Sequence, residues 1–284
     1  MGEVLKYMLL GLLQGATEFL PVSSSGHLVI LKNLLGVESN GLLLEVCLHL
    51  GTLVAILLVF RSDLWKLIVD GVKGAWLLAR GRRAELAEAA PGFSTALAIV
   101  VGSVPVAAAG LLIHRLELEE GLKSPRLAGA MLVVTGLVLA AGRLAPRGGL
   151  REGPGAARGF LIGIAQAVAI LPGISRSGST IVAGCFLGLR REAAARFSFL
   201  LAVPAMVGAG VWKLAPALAS GGDAWAPTGG GLSFAIVCGT IVAALSGWAC
   251  LSLLLRIIRR GQLHWFAAYC VPAGLACFIL SFIL

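Results

Sequence analysis

The sequence predicts an all-α polytopic membrane protein. Six full transmembrane helices and two re-entrant helix–loop–helix pairs form an inverted-topology repeat within one membrane domain, residues 1–284. Three observations lead there. The chain is 58% hydrophobic and only 13% charged, with a mean hydropathy of +0.94; soluble domains carry about 25% charged residues and cannot hide so much apolar surface. Lysine and arginine concentrate in alternate loops. Two stretches rich in Gly, Pro and Ser, 21–27 and 171–180, are followed or flanked by apolar segments too short to span, since a crossing takes about 20 apolar residues.

Taken in order, Val4–Leu20 is apolar but interrupted by Gln14 and Glu18, and Leu28–Leu35 is too short to span. With the 21–27 turn they read as a re-entrant pair, which other helices must bury because lipid cannot satisfy irregular backbone. The same polar residues, and the lack of a small-residue cleavage site, argue against a signal peptide. Leu42–Phe60 is a full span stopped by Arg61, and residues 61–90, basic with apolar residues between, suggest an interfacial helix or loop. Phe93–Ile113 spans despite Pro105, which membrane helices tolerate. A mixed-charge loop, His114–Arg126, leads to the span Leu127–Leu144. Residues 159–189 form the second re-entrant pair. The spans Phe197–Trp212, Leu232–Leu255 and Trp265–Leu284 complete the chain, with a polar, Gly-rich loop Lys213–Gly231 after the first of them.

With the N-terminus outside, one side receives 16 Lys and Arg and the other 6, while Arg176 stays within the second pair. Cytoplasmic loops carry the basic excess, so the net charge of +9 reflects topology rather than nucleic-acid binding. Reading either short pair as ordinary spans would scatter the basic loops over both sides. Sliding the chain by 152 residues places Gly11 on Gly163, Gln14 on Gln166, Ser23 on Ser175, Ser25 on Ser177 and Gly26 on Gly178. The pseudo-repeats are approximately 1–125 and 153–284. With the 127–144 span counted in the first half, each half has one re-entrant pair and three spans. Three is odd, so the second half is inverted, an arrangement that places a site near mid-membrane at the repeat interface.

The polar residues of that site follow. Gln14 and Glu18, spaced i, i+4, share a helix face; they either pin helix packing or present a carboxylate that binds a cation or moves a proton. Ser23-Ser24-Ser25-Gly26-His27 is a turn in which His27 adds a general base or nucleophile that a helix cap does not need. Ser175-Arg176-Ser177-Gly178-Ser179-Thr180 combines a helix N-terminus, hydroxyl donors and a guanidinium fork, which together suit phosphate. An arginine within the membrane marks a functional site by default. The Gly-Lys-Ser/Thr order of a P-loop is absent. Glu45 and His49 share another helix face and either pack or line the same cavity. The six cysteines, Cys47, Cys185, Cys238, Cys250, Cys270 and Cys277, are scattered through apolar segments without metal-site spacing. A phosphate cradle, a carboxylate and a histidine in a membrane bundle suggest hydrolysis of a lipid phosphate group.

These residues carry a family likeness. Gln14-x-x-x-Glu18 with Phe19-Leu-Pro-Val-Ser-Ser-Ser-Gly-His27 resembles the first signature of the bacterial undecaprenyl-diphosphatases, the bacitracin-resistance family. Pro172-Gly-Ile-Ser-Arg-Ser-Gly-Ser-Thr180 resembles the second, and Leu44–Thr52 is similar to a further family segment. The resemblance implies an enzyme of cell-wall synthesis in the bacterial inner membrane. Its substrate would be a polyprenyl diphosphate lipid, cleaved to the monophosphate at a site open to the periplasmic face. It also implies dependence on a divalent cation, Mg2+ or Ca2+, with Glu18 and Glu45 as candidate ligands, and a homodimer is the assembly to test. By position, Glu18, Ser24, His27 and Arg176 inherit the catalytic assignment. Ser23, Ser25, Gly26, Ser175, Arg176, Ser177, Gly178 and Thr180 inherit phosphate binding, and Gln14 and His49 line the site. The family allows Glu or Gln at position 14; Gln here leaves that motif one carboxylate and raises the interest of Glu45. His27 or Ser24 would attack the terminal phosphorus, or His27 would activate water. The competing expectation is a secondary transporter or flippase, since broken helices in inverted repeats are also transporter architecture.

Overall fold

A computed structural model describes residues 2–37, 41–122, 124–146, 149, 151–219 and 230–282. Among them the chain is helical, and its only strand-like feature is a bridge between Arg151 and Leu189. The helices are α1 (Glu3–Phe19), α2 (Ser24–Leu35), α3 (Gly41–Val59), α4 (Arg61–Ala79), α5 (Leu86–Ala89), α6 (Phe93–Arg115), α7 (Glu119–Leu122), α8 (Pro125–Ala141), α9 (Gly155–Val168), α10 (Arg176–Phe186), α11 (Arg191–Ala219), α12 (Gly230–Arg259) and α13 (Ala267–Leu280). Five segments are long and apolar enough to cross a membrane alone: Phe93–Arg115, Pro125–Leu144, Arg191–Ala215, Phe234–Arg259 and Leu263–Leu280. Leu43–Val59 joins them when counted with Arg61–Ala79, from which it is bent by 78°. The protein is an all-α, multi-pass membrane protein.

The differences from the expected boundaries have local causes. The span expected at Phe197–Trp212 extends to Arg191–Ala219; its N-terminal extension is anchored by charge rather than apolarity, with Glu192 meeting Arg259 at 2.9 Å and Arg196 meeting Asp63 at 3.1 Å. The rest of the expected Gly-rich loop, 220–229, lies outside the described residues. The turn expected at 21–27 is shorter, since Ser24 already begins α2. Within the basic stretch 61–90, residues 61–79 form one helix, α4. One stripe of α4 exposes Trp65, Ile68, Val72 and Trp76, and the Arg80 guanidinium lies 4.5 Å from the centre of the Trp76 ring.

Helix pairing relies on missing side chains, as expected where lipid removes the hydrophobic drive and close van der Waals packing takes over. α1 packs on α12, and α9 on α6. A Cβ on Gly11 would stand 2.1 Å from the Gly239 carbonyl oxygen, and one on Gly163 2.1 Å from that of Gly102. The reverse contacts match as well: a Cβ on Gly239 would stand 2.7 Å from the carbonyl oxygen of Tyr7, and one on Gly102 2.7 Å from that of Gly159. Beneath the end of α1 an aromatic cluster fills the core: Phe19 meets Phe199 edge-on with centroids 5.9 Å apart, and Phe60 stacks on Phe199 at 6.0 Å.

Candidate active site

The two helix–turn–helix pairs, α1–α2 and α9–α10, bring their turns together. Gly178 in α10 is closely packed against the first turn: a Cβ there would lie 3.2 Å from the Pro21 side chain. The second turn is built by its own sequence and by α8. Gly173 has φ +95°, and a Cβ there would meet the Ala128 carbonyl oxygen at 2.1 Å, so glycine alone fits. The buried Thr135 hydroxyl bridges the turn, donating to the Gly173 carbonyl at 2.7 Å and accepting the Ser175 N–H at 2.9 Å. Ser175 then caps α10, its Oγ accepting from the Gly178 N–H at 3.1 Å.

The first turn is strained where the second is relaxed. Ser23 is buried with φ +65°, a conformation uncommon for any residue but glycine. His27, one helical turn on, braces it through Nδ1, which lies 2.8 Å from the Ser23 carbonyl oxygen. A carbonyl only accepts, so Nδ1 carries the proton. Nε2 lies 2.6 Å from the Tyr269 hydroxyl, and the two rings stack.

Between the turns lies a cavity of about 360 Å³. Ser23, Ser24 and Ser25 at the start of α2, and Ser175 and Arg176 at the start of α10, line it, so the beginnings of two helices, where the positive end of the helix dipole lies, border one space. Thr17, Glu18, His49, Gln166 and Lys213 complete its polar wall. Val46, Leu50, Leu53, Val106, Ile170 and Met206 supply an apolar one.

Glu18 is the hub. Its carboxylate is 8% exposed and accepts from Arg176 Nη2 at 2.9 Å on Oε1, and from Ser24 Oγ at 2.7 Å and Gln14 Nε2 at 3.0 Å on Oε2. His49 Nε2 stands 3.8 Å from the same Oε2. A buried carboxylate requires this density of donors, because it would otherwise take up a proton. Arg176 divides its fork: Nη2 serves Glu18, while Nη1 is buried and has no partner among the described residues.

The remaining expected site residues fall into distinct places. Glu45 is paired with Lys32 and lies 3.8 Å from Lys213. Among the described residues no group of three or more His, Cys, Asp and Glu gathers to hold a metal. His27 is not among the residues lining the cavity, whereas His49 is. Ser177 is buried against Ser175, the hydroxyls 3.3 Å apart. Thr180 turns away into the core, donating to the Arg176 carbonyl at 2.7 Å and meeting the Ser198 hydroxyl at 2.5 Å. Gly26 has nothing within 4 Å of a Cβ position, so no steric demand explains it. The sequence reading left Thr135, Tyr269, Lys213 and Gln166 without a role. For Thr135 and Tyr269 spacing carries no signal, because they reach the turns from distant helices. For Gln166 the 152-residue offset onto Gln14 was a usable one.

Residues 7–276 match the family described as Bacitracin resistance protein BacA. Curated relatives cover nearly the whole chain. The undecaprenyl-diphosphatase of Desulfosudis oleivorans is 44% identical over 273 residues, 96% of each chain. That of Rhodopirellula baltica is 41% identical over 99% of each, and that of Korarchaeum cryptofilum 37% identical over 96% of this chain and 98% of its own. With so much of both lengths aligned, the chain belongs to the bacitracin resistance protein BacA family.

Proposed function

We propose that this protein is an integral membrane phosphatase that hydrolyses undecaprenyl diphosphate to undecaprenyl phosphate and inorganic phosphate. The observation that carries the reading is Arg176. At the N-terminus of α10, neutralised on one arm by Glu18, it keeps its other arm buried and without a partner among the described residues, beside the cavity. A guanidinium held half-used, with helix N-termini and serine hydroxyls around it, is a receptor for phosphate oxygens. The apolar wall suits the first isoprene units. The homologues' shared name supports the choice of lipid.

In this mechanism Arg176 Nη1 and the N–H groups of α2 and α10 hold the diphosphate and neutralise charge as it develops, which is most of what phosphoryl transfer needs. The Ser24 hydroxyl, 2.7 Å from Glu18, attacks the terminal phosphorus and passes its proton to Glu18. The anhydride P–O bond breaks, and undecaprenyl phosphate leaves. Water then hydrolyses the phosphoserine, releasing inorganic phosphate and restoring Ser24. His49 is placed to relay protons to and from Glu18. His27 is a positioning residue that holds the Ser23 turn through its ring. A divalent cation, Mg2+ or Ca2+, fits here only as a companion of the substrate: phosphate oxygens would bring most of its ligands and Glu18 one carboxylate, because Glu45 is tied to lysine. When bound, it would neutralise phosphate charge.

The bacterial inner membrane and an outward-facing mouth complete the proposal. Lys213, on the side poor in basic residues, lines the cavity, which supports opening to the outer face. The matched contacts of Gly11 with Gly239 and Gly163 with Gly102 support reading residues 1–125 and 153–284 as inverted repeats. Phosphate release from undecaprenyl diphosphate in detergent tests the whole reading. Wild type is expected to turn over and Ser24→Ala to be inactive, and acid quenching with terminally labelled lipid should trap label on the wild-type chain. Movement of the lipid without phosphate release would refute it.

A further inference from the structure

Gln166 stands on α9, 2% exposed, and lines the cavity. Neither its amide nitrogen nor its amide oxygen has a hydrogen-bond partner among the described residues. Buried amides are almost always paired, so an unpaired one inside a binding cavity calls for an explanation.

The comparison with Gln14 supplies it. Gln14 is equally buried and directs its amide nitrogen to Glu18, one turn on. Displaced by 152 residues, Gln14 becomes Gln166 and Glu18 becomes Ile170. Both amides sit three residues beyond a glycine pressed against a neighbouring backbone, Gly11 on Gly239 and Gly163 on Gly102. The scaffold is therefore repeated while the carboxylate is not. The first glutamine serves the protein's own anion, and the second is left with donors that have no partner among the described residues, in the cavity that Arg176 also lines.

We propose that Gln166 is a ligand-contacting residue of this cavity, its amide N–H groups donating to oxygens of the diphosphate headgroup. The proposal rests on the phosphatase reading above and assigns the α9 wall a share of headgroup recognition. A neutral amide suits the task. It adds two donors without a charge that would compete with Arg176 for Glu18.

The test uses the full-length detergent-purified protein and inorganic pyrophosphate as probe, with Gln166→Leu and Gln166→Glu. Pyrophosphate is expected to raise the wild-type unfolding temperature in a dose-dependent way. Without ligand, Q166L should unfold at or above the wild-type temperature, since leucine removes an unsatisfied polar group. It should bind pyrophosphate about 10-fold or more weakly, the loss expected for a hydrogen bond to a charged group. Its KM for undecaprenyl diphosphate should rise by a similar factor, with kcat held within about threefold. Q166E, of the same shape but anionic, should bind more weakly still, and it carries the test where Q166L fails to fold. Wild-type affinity and KM in both variants would overturn the assignment and leave the phosphatase reading standing. Active wild-type protein that pyrophosphate neither stabilises nor inhibits would overturn the anion cavity itself, and Gln166's role with it.

Discussion

At Glu18 a single carboxylate accepts from a guanidinium, a serine hydroxyl and a glutamine amide, so changes around it separate by what each neighbour does. Arg176→Ala removes the phosphate fork and strands a buried carboxylate, and breaking such a pair costs about 3–5 kcal/mol. Phosphate release should fall at least about 100-fold, and Arg176→Lys should recover only part of it, because an ammonium keeps the charge but not the fork. Ser24→Ala should cost about 10³-fold or more if its hydroxyl is the attacking group. His27→Ala, which loosens the Ser23 turn without touching the cavity, should cost about 10-fold; a loss equal to that of Ser24→Ala would return His27 to the reacting centre. The same assay answers both. Thr135→Val keeps the shape but deletes the hydroxyl that joins Gly173 to Ser175. Leaving that buried donor and acceptor unsatisfied costs about 1–3 kcal/mol each, so thermal unfolding in detergent should shift down and phosphate release should fall with it.

Among elements, the strongest constraint is the close approach of α1 to α12 and of α9 to α6. Gly163→Val would drive a side chain into the Gly102 carbonyl, 2.1 Å from where its Cβ must lie. The helices must separate, and a loss of at least about 3 kcal/mol or failure to accumulate is expected. Gly110→Ala in α6, with nothing within 4 Å of the new methyl, should leave unfolding unchanged or raise it slightly, by up to about 1 kcal/mol. Measuring both variants by thermal unfolding tests whether glycine here serves packing or merely fills a helix. The same contacts set the depth of the site, since Gln14 and Gln166 lie one turn beyond Gly11 and Gly163. Much of this scale was readable in the residues. The half-length apolar segments, the Pro-Gly and serine turns and the basic stop at Arg61 each have local causes, and each appears where it was expected, within a turn. The N-terminal extension of α11 was not readable, because Arg196 and Glu192 find partners on α4 and α12 that are distant in sequence.

For the whole molecule, the charge asymmetry makes a topological prediction. In a chain freed of its six native cysteines, Arg82→Cys should label only from the cytoplasmic side and Glu117→Cys only from outside. Labelling of both from one side would undo the orientation and the outward mouth together. A chelator should depress turnover, and added Mg2+ or Ca2+ should restore it. Since Glu45 faces lysines, Glu45→Gln should alter that requirement far less than Glu18→Gln. Equal effects would show that Glu45 holds the ion after all.

The sequence by itself determined the class, the two polar turns and the Gln14–Glu18 face. All of these depend on partition into lipid or on helical spacing over a few residues, which act locally. Only the tertiary structure decided which polar groups share a cavity. It brought Arg176 to Glu18 across 158 residues and admitted His49 while turning His27 toward Tyr269. It tied Glu45 to lysine, sent Thr180 into the core and left the Gln166 amide without a partner among the described residues. Those outcomes follow from how closely glycine-faced helices approach and at what rotation, and a hydrophobic pattern read one segment at a time carries no record of either.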